Sequence, residues 1–439
     1  MEAKPTTVPE AKQVGEVRAR WAWTEPEVWT ERMLTALEDG VKGGIWFSLI
    51  DKVYKPGNLG AAFAKVKANQ GAAGVDRQTI EMFEANLDTN LSRVAQQLAD
   101  GSYCPQAVRR HWIAKPGSNE QRPLGIPTVR SRVVETALRN VLEPIFERDF
   151  AAHSYGFRPR RGCKDALRRV DHLVKAGNTW VVDADLQSYF DTIPKQKLLR
   201  RVAEKVADSR VLELVEAMLQ TEVMEGLEHW TPVAGTPQGA VISPLLSNIY
   251  LDPLDHELAR NGYEMVRYAD DFVILCRSEA KARAALAKVQ AWTAQAGLCL
   301  HPEKTRIVEA TQRGGFDFLG YHFERGYRWP RRKSVAKLKA TMRSKTRRTQ
   351  GHSLRTTIET VNQTLTGWFG YFKHSHKTAF PALDKWIRMR LRSILRHRRK
   401  RKGRARGTDN VRWPNAYFVA HGLFSLTAAR EQLCQSSRR

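Results

Sequence analysis

Two short acidic segments contain the residue types that could do chemistry. They are VDADL at 182–186 and, 85 residues after Asp185, YADD at 268–271. Carboxylates that a fold brings together repel each other unless a cation lies between them. A few hard oxygen ligands suit Mg²⁺, which completes its shell with water and substrate phosphates. Because two such ions serve in-line phosphoryl transfer, the segments indicate a nucleotidyl transferase.

The YADD segment also has an ordinary interpretation. Paired aspartates are common in tight turns, so the four residues alone fit a plain turn as well as a metal site. The apolar runs on both sides favour the metal site. Asp183 shares a strand face with Asp185 by alternation, and we expect it to support the site or to cap a helix. We expect Asp191 to be structural.

The elements that position these carboxylates follow from hydrophobic pattern. An apolar, β-branched run predicts a buried strand over 179–186. Alternation with a polar tip predicts a hairpin over 264–276, with its turn at or near residues 269–271. If both lie in one sheet, Asp185 and Asp270 come within a few ångströms of each other.

Further elements surround these strands. A strand, turn and strand are expected over 108–127, followed by a helix through residues 128–146. A second helix should begin with Ser243 as N-cap and Pro244 at its first position. An amphipathic helix is expected over 278–297.

Other polar residues are weaker candidates from their own pattern. Lys115 and Arg122 lie on the basic hairpin and could neutralise phosphates, although a solvated hairpin is the better interpretation of that feature alone. The loop GTPQG at 235–239 offers backbone amides for close approach to a nucleotide, and in isolation is a flexible turn. His374 and His376 are two apart in an expected helix, so they would not share a face.

Charge indicates the partner. The chain has 439 residues and a formal net charge of +26, and residues 331–412 hold 25 Lys/Arg against 3 Asp/Glu. Such an excess predicts a polyanion as partner, with nucleic acid ahead of an anionic membrane surface. No apolar run is long enough to span a bilayer. No secretory signal is evident, and the five scattered cysteines argue against disulfides or a zinc ribbon and for a reducing cytoplasm.

With these residues in order, the chain resembles bacterial group II intron-encoded proteins, in which a reverse transcriptase is joined to a maturase domain. The resemblance runs from about residue 29 to the end, and its motifs occur in the order of the family. They are KANQGAAGVD (67–76), RPLGIPT (122–128), SYGFRP (154–159), DADLQSYFD (183–191), GTPQGA (235–240), YADD (268–271), PEKT (302–305) and FDFLG (316–320), followed by LTGWFGYF (365–372) and RWPNAY (412–417).

The resemblance implies a set of metal ligands. Asp185 and Asp270 would be the principal ligands of two Mg²⁺ ions, for which Mn²⁺ could substitute. Asp271 would complete the carboxylate set, and the backbone carbonyl of Leu186 would assist.

The resemblance also implies a set of residues that bind the incoming dNTP. Phe190 would be the steric gate whose ring excludes a ribose 2′-hydroxyl. Gln238 would contact the nucleotide and the template strand. Lys115 and Arg122 would hold the triphosphate, and the segment 318–321 would support the primer end.

The implied fold is α+β, a right-hand polymerase with an antiparallel sheet in the palm, followed by an α-helical thumb. The expected divisions are an N-terminal arm (1–45), an N-terminal extension and fingers (46–180), the palm (181–325), the helical thumb or maturase domain (326–405) and a short nucleic-acid-binding extension (406–439).

The implied function is RNA-directed DNA synthesis together with maturase activity on a group II intron RNA. The partners would be that RNA, an RNA template/DNA primer duplex, target DNA and dNTPs, in the bacterial cytoplasm with the nucleoid or a ribonucleoprotein. The absence of cysteine pairs before Arg439 favours the compact type without an HNH endonuclease domain. The alternatives are a non-catalytic RNA-binding splicing factor and a reverse transcriptase of retron or CRISPR-associated lineage.

Overall fold

The computed structural model describes residues 14–114 and 121–436. Within these ranges the chain forms α-helices, β-strands and two 3₁₀ turns (Lys42–Gly44 and Lys377–Ala379). The helices are α1 Val14–Arg20, α2 Glu31–Asp39, α3 Ile50–Tyr54, α4 Pro56–Ala68, α5 Ile80–Glu84, α6 Leu87–Asp100, α7 Val129–Glu147, α8 Cys163–Lys175, α9 Tyr189–Thr192, α10 Lys195–Ala203, α11 Ser209–Leu219, α12 Ser243–Arg260, α13 Glu279–Ala296, α14 Arg332–Lys345, α15 Leu354–Phe372, α16 Pro381–Arg398, α17 Gly407–Arg412, α18 Asn415–Ala420 and α19 Leu426–Ser436. The strands are β1 Val108–Ala114, β2 Gln121–Ile126, β3 Trp180–Asp185, β4 Val223–Glu225, β5 Glu228–Trp230, β6 Glu264–Tyr268, β7 Asp271–Cys276, β8 Arg306–Glu309, β9 Phe316–Phe318, β10 Tyr321–Glu324 and β11 Tyr327–Pro330.

The strands form three sheets, and the α+β class is confirmed. The palm sheet has the order β6-β7-β3-β8 and is antiparallel throughout. The fingers sheet has the order β2-β1-β4-β5, and a third sheet has the order β11-β10-β9. The strand expected over 179–186 and the hairpin expected over 264–276 are therefore confirmed as neighbours in one sheet, in which β3 pairs with β7.

Helix α7 lies at the centre of the largest core. Thr128 caps it by accepting from the backbone N–H of Ser131 at 3.1 Å, and fifteen of its nineteen residues are buried. The N-terminal arm docks on this helix, because Trp29 is fully buried and its Nε1 donates to the backbone carbonyl of Asn140 at 2.9 Å.

The C-terminal helices pack around a separate apolar core. It combines residues of α14, α15 and α16 with Trp413, Phe418 and Leu426. Asp384 on α16 holds α19 in place by accepting from the backbone N–H groups of Leu426 and Thr427, at 3.1 and 3.0 Å. The helical pattern expected between residues 331 and 412 is thus confirmed.

Two local predictions are wrong. Ser243 is the first residue of α12 rather than its N-cap, because the N-cap position is Ile242, and the Ser243 hydroxyl donates to the carbonyl of Pro237 at 2.9 Å instead. His374 and His376 lie beyond the end of α15 rather than within a helix. The His376 ring instead contacts that of Tyr327, with 4.8 Å between centroids.

No helix in the described part of the chain is both long enough and apolar enough to cross a membrane.

Candidate active site

The three aspartates of the expected metal site meet at one end of the palm sheet. Asp185 ends β3 and Asp271 begins β7, and the two are direct partners in the antiparallel register. Asp270 lies in the two-residue turn of the β6–β7 hairpin, which is closed by the pair Tyr268 and Asp271. Ala269 has a φ of 59°, the left-handed geometry that two-residue hairpin turns need.

Electrostatics at this end of the sheet is unfavourable without cations. Burial raises the pKa of Asp270, and the Asp185 carboxylate raises it further. Burial, with Asp183, Asp270 and Asp185 nearby, raises the pKa of Asp271 to about 7. Desolvation and like charge both disfavour ionised carboxylates, so a bound cation would favour the ionised forms of Asp270 and Asp271.

Two basic side chains contact the carboxylates of Asp185 and Asp183. Lys304 Nζ lies 2.8 Å from Asp185 Oδ2, and Arg306 Nε lies 3.3 Å from Asp183 Oδ2. Burial raises the pKa of Asp183 to about 6, against the lowering effect of Arg306. Asp183 thus lies within β3 on the face of the site and caps no helix, so the helix-capping alternative is wrong.

The donor set fits a divalent cation by its chemistry, although the side chains are not yet gathered around one point. Hard carboxylate oxygens that share one sheet end are the ligands that hard divalent cations prefer. Among the described residues, however, no group of three acidic, histidine or cysteine side chains is already placed as a metal site. An ion bound by Asp185 would have to displace Lys304.

A buried arginine that the sequence analysis missed supports the turn. Arg267 is completely buried and donates to both carboxylate oxygens of Asp255, with Nε to Oδ1 at 2.8 Å. Its NH1 donates to Asn248 Oδ1 at 2.9 Å and to the carbonyl of Ala269 at 3.0 Å. These buried contacts therefore hold the turn that contains Asp270 in place. The signal in the sequence was an arginine that follows the apolar pair Met265 and Val266 within the strand.

The loop at 235–239 joins the expected steric gate to the fingers. The backbone N–H of Thr236 donates to the carbonyl of Phe190 at 2.7 Å. A Cβ on Gly235 would lie 2.6 Å from the same carbonyl, so only glycine allows this approach. On the other side, the N–H of Gly125 on β2 donates to the carbonyl of Gln238 at 2.6 Å.

Asp191 orients the amide of Gln238. Gln238 Nε2 donates to Asp191 Oδ2 at 3.2 Å. Burial raises the pKa of Asp191, whereas Arg110, Gln238 and Arg122 lower it. A cavity of about 240 Å³, lined in part by Phe190, Asp191 and Gln238, opens beside this pair.

Three further residues were expected in the site, namely Arg122, Lys115 and Leu186. Arg122 lies on β2 opposite Ile113 and is close enough to lower the pKa of both Asp191 and Asp270. Lys115 lies outside the described residues. Leu186 follows β3 directly and is buried, in an isolated bridge with Leu300.

The segment expected to support a primer end is joined to the helical domain. Leu319 and Gly320 form the turn between β9 and β10, with φ of 46° and 83°. Tyr371 on α15 donates its hydroxyl to the carbonyl of Leu319 at 2.7 Å, and Tyr321 donates to the carbonyl of Tyr371 at 2.6 Å.

The basic residues between 331 and 412 include both buried and exposed side chains. Arg392 and Arg396 are buried, where Arg392 donates to the carbonyl of Trp413 and Arg396 pairs with Asp409 at 2.9 Å. The cations at 398–402 are exposed. The two buried arginines are used inside the protein, so a polyanionic partner would meet exposed cations such as those at 398–402.

Two family models match the chain. A reverse transcriptase (RNA-dependent DNA polymerase) model matches residues 113–323. A model of the group II intron maturase-specific domain matches residues 335–413. The two matches follow each other along the chain.

Known proteins are similar over large parts of the chain. Protein YkfC of Escherichia coli (strain K12) is 31% identical over 349 residues, which are 70% of this chain and 86% of YkfC. Group II intron-encoded protein LtrA of Lactococcus lactis subsp. cremoris is 37% identical over 196 residues, 44% of this chain and 32% of LtrA. The chain thus spans about a third of LtrA. A partial Cas6-RT-Cas1–Cas2 complex aligns at 21% identity with a TM-score of 0.36, covering 56% of this chain and 42% of that chain.

Proposed function

Because this chain belongs to the family of group II intron-encoded reverse transcriptases with a maturase-specific domain, we propose that it is an RNA-directed DNA polymerase that also assists the splicing of a group II intron RNA. The reaction is the attack of a primer 3′-hydroxyl on the α-phosphate of a dNTP, with release of pyrophosphate. The observation that carries the proposal is the direct register pairing of Asp185 with Asp271 beside the turn that holds Asp270.

The metal would be Mg²⁺, held by Asp185, Asp270 and Asp271 with the Leu186 carbonyl assisting. When bound, divalent ions lower the pKa of a hydroxyl and neutralise phosphate charge. The support for this assignment is that burial raises the pKa of both Asp270 and Asp271. Nearby carboxylates raise each pKa further, from Asp185 for Asp270 and from Asp183, Asp270 and Asp185 for Asp271.

Protein side chains around the carboxylates would bind and orient the nucleotide. Arg122 and Lys115 would pair with phosphate oxygens as charge-assisted donors. Phe190 would stand against the sugar, and Gln238, oriented by Asp191, would present its amide oxygen to the nucleotide. Such positioning supplies much of the rate in phosphoryl transfer.

The exposed cations of the C-terminal helices would bind the intron RNA. Residues 331–412 contribute +22 of the total charge of +26, from 25 basic and 3 acidic residues. This segment coincides with the maturase-specific match at 335–413. Binding through phosphates should weaken steeply with salt.

The test is primer extension on an RNA template with dNTPs and Mg²⁺. We expect cDNA from the wild-type protein and from Asp88→Ala, an exposed aspartate outside the site, and none from Asp270→Ala. If neither wild type nor Asp270→Ala extends a primer while both bind intron RNA and accelerate its splicing, the non-catalytic splicing factor replaces the polymerase. If the wild type copies RNA but accelerates no group II intron, the maturase part fails.

A further inference from the structure

Phe157 has an unusual combination of backbone and exposure. Its φ is 59° and its side chain is 43% exposed. A bulky residue in the left-handed region is strained, and such strain persists where the surroundings impose it, often at functional sites. Phe157 is therefore held in position by its neighbours.

Both neighbours of Phe157 are fixed. A Cβ on Gly156 would lie 2.2 Å from the backbone nitrogen of Ala269, so the chain touches the turn that holds Asp270. Asn248 Nδ2 donates to the carbonyl of Gly156 at 2.8 Å. On the other side, the buried Arg158 donates through NH1 to the carbonyls of Ala151 and Ser154, at 2.6 and 2.9 Å.

The ring of Phe157 packs against the ring of Phe190. Their centroids are 6.5 Å apart and the planes meet at 75°, an edge-to-face contact. Tyr189 makes a second edge-to-face contact with Phe190, at 5.5 Å and 65°. Phe190 is thus supported by two rings, one of which is fixed to the backbone of the hairpin turn.

We propose that Phe157 is a specificity-determining positioning residue, which keeps the Phe190 ring from retreating before a ribose 2′-hydroxyl. The inference rests on the proposed role of Phe190 as the sugar gate. A gate excludes a hydroxyl by steric contact only if its own ring cannot move away. Because Phe157 is anchored to the turn that holds Asp270, it fixes the position of the Phe190 ring relative to the carboxylates of the site.

The test compares kcat/KM for a dNTP and the matching rNTP in single-nucleotide addition. Phe157→Gly removes the ring and relieves the left-handed backbone, so folding is retained. We expect its preference for the dNTP to fall about tenfold, the effect of one lost packing contact in a selective pocket. The change should come mainly from a lower KM for the rNTP, whereas dNTP addition stays within about threefold.

Three further variants complete the experiment. Phe157→Tyr keeps the ring and should keep the preference. Phe47→Ala removes another exposed phenylalanine and should change nothing. Phe190→Ala tests the gate itself and should lose the preference.

Two outcomes would overturn the inference. If Phe190→Ala loses the preference while Phe157→Gly keeps it within twofold, Phe157 does not support the gate and the proposed polymerase stands. If Phe157→Gly lowers dNTP and rNTP addition equally, its role is general and the inference is wrong. If neither variant loses the preference for the dNTP, both the assignment of Phe190 as the gate and the inference about Phe157 are wrong.

Discussion

The ammonium group of Lys304 lies 2.8 Å from Oδ2 of Asp185, so a lysine from the loop before β8 contacts the carboxylate that ends β3. The lysine side chain is 60% exposed. A contact of this kind is worth at most about 1 kcal/mol. It is therefore weak enough for a divalent cation to displace.

Removing this lysine should strengthen cation binding. In Lys304→Met, Asp185 has no competing ammonium group, and we expect Mn²⁺ to bind up to about fivefold more tightly, the equivalent of about 1 kcal/mol. Electron paramagnetic resonance titration of the free protein measures this without catalysis. Lys281→Met, at another exposed lysine, is the control. An unchanged affinity in Lys304→Met would mean that the ion does not use Asp185.

Loss of the buried arginine should destabilise the protein strongly. Arg267→Met leaves the Asp255 carboxylate buried without its partner, which costs about 3–5 kcal/mol in the free energy of unfolding. Replacing Asp255 by Leu as well should recover much of that loss. Urea unfolding measures both variants. The exposed pair Arg283 and Glu279 provides the control, since Arg283→Met should cost less than about 1 kcal/mol. Equal costs for the two arginines would contradict the expected role of burial.

Stability should fall as pH rises because of Glu135. Burial raises the pKa of this carboxyl from its ordinary 4.5 to about 7, although the N–H groups of Val241 and Ile242 lower it. Between pH 4.5 and 7 the folded state then holds a proton that the unfolded state has lost, so stability falls with pH, by about 3 kcal/mol in total. Glu135→Gln should remove this part of the slope in urea unfolding between pH 4.5 and 7. Glu31→Gln, at an exposed site, should keep it, and an unchanged slope in Glu135→Gln would refute the assignment.

The exposed cations at 400–402 should set the salt dependence of RNA binding. Replacing all three by Gln would remove the three phosphate contacts that we propose for them, and the log–log slope of affinity against salt should become shallower by about 2 to 3. Filter binding to a structured RNA at several salt concentrations measures the slope. The three exposed cations of α8 (Lys164, Arg168 and Lys175) serve as the matched control. A slope that changes equally in both triple variants would indicate nonspecific charge rather than a binding face.

Local pattern predicted the elements of the site better than the contacts between them. Alternation and β-branching identified β3 and the β6–β7 hairpin, because one buried face fixes a period of two. The support of the turn by Arg267 depends on Asn248 and Asp255 from α12, a packing relationship that strand periodicity does not encode. The contact of Lys304 with Asp185 spans 119 residues and requires the β3–β8 register.

The predictions for Ser243 and for His374 and His376 were wrong because tertiary contacts outweigh the local sequence signals. Ser243 has the residue type of an N-cap, but its hydroxyl is used by Pro237, so α12 begins one residue earlier than the local signal implies. His374 and His376 follow a helical pattern that ends at Phe372. The strand β11 then fixes the segment, since the N–H of His376 donates to the carbonyl of Arg328 at 2.7 Å.

The two phenolic hydroxyls at the junction of α15 with the β9–β10 turn have a consequence for chimaeric proteins. Tyr321 donates towards α15, and Tyr371 donates back towards the turn. A chimaera cut after Pro330 would place each hydroxyl against a foreign carbonyl. Because both acceptors are backbone carbonyls, exchange of the C-terminal helices between relatives should keep this junction where both parents have tyrosine at the positions of Tyr321 and Tyr371.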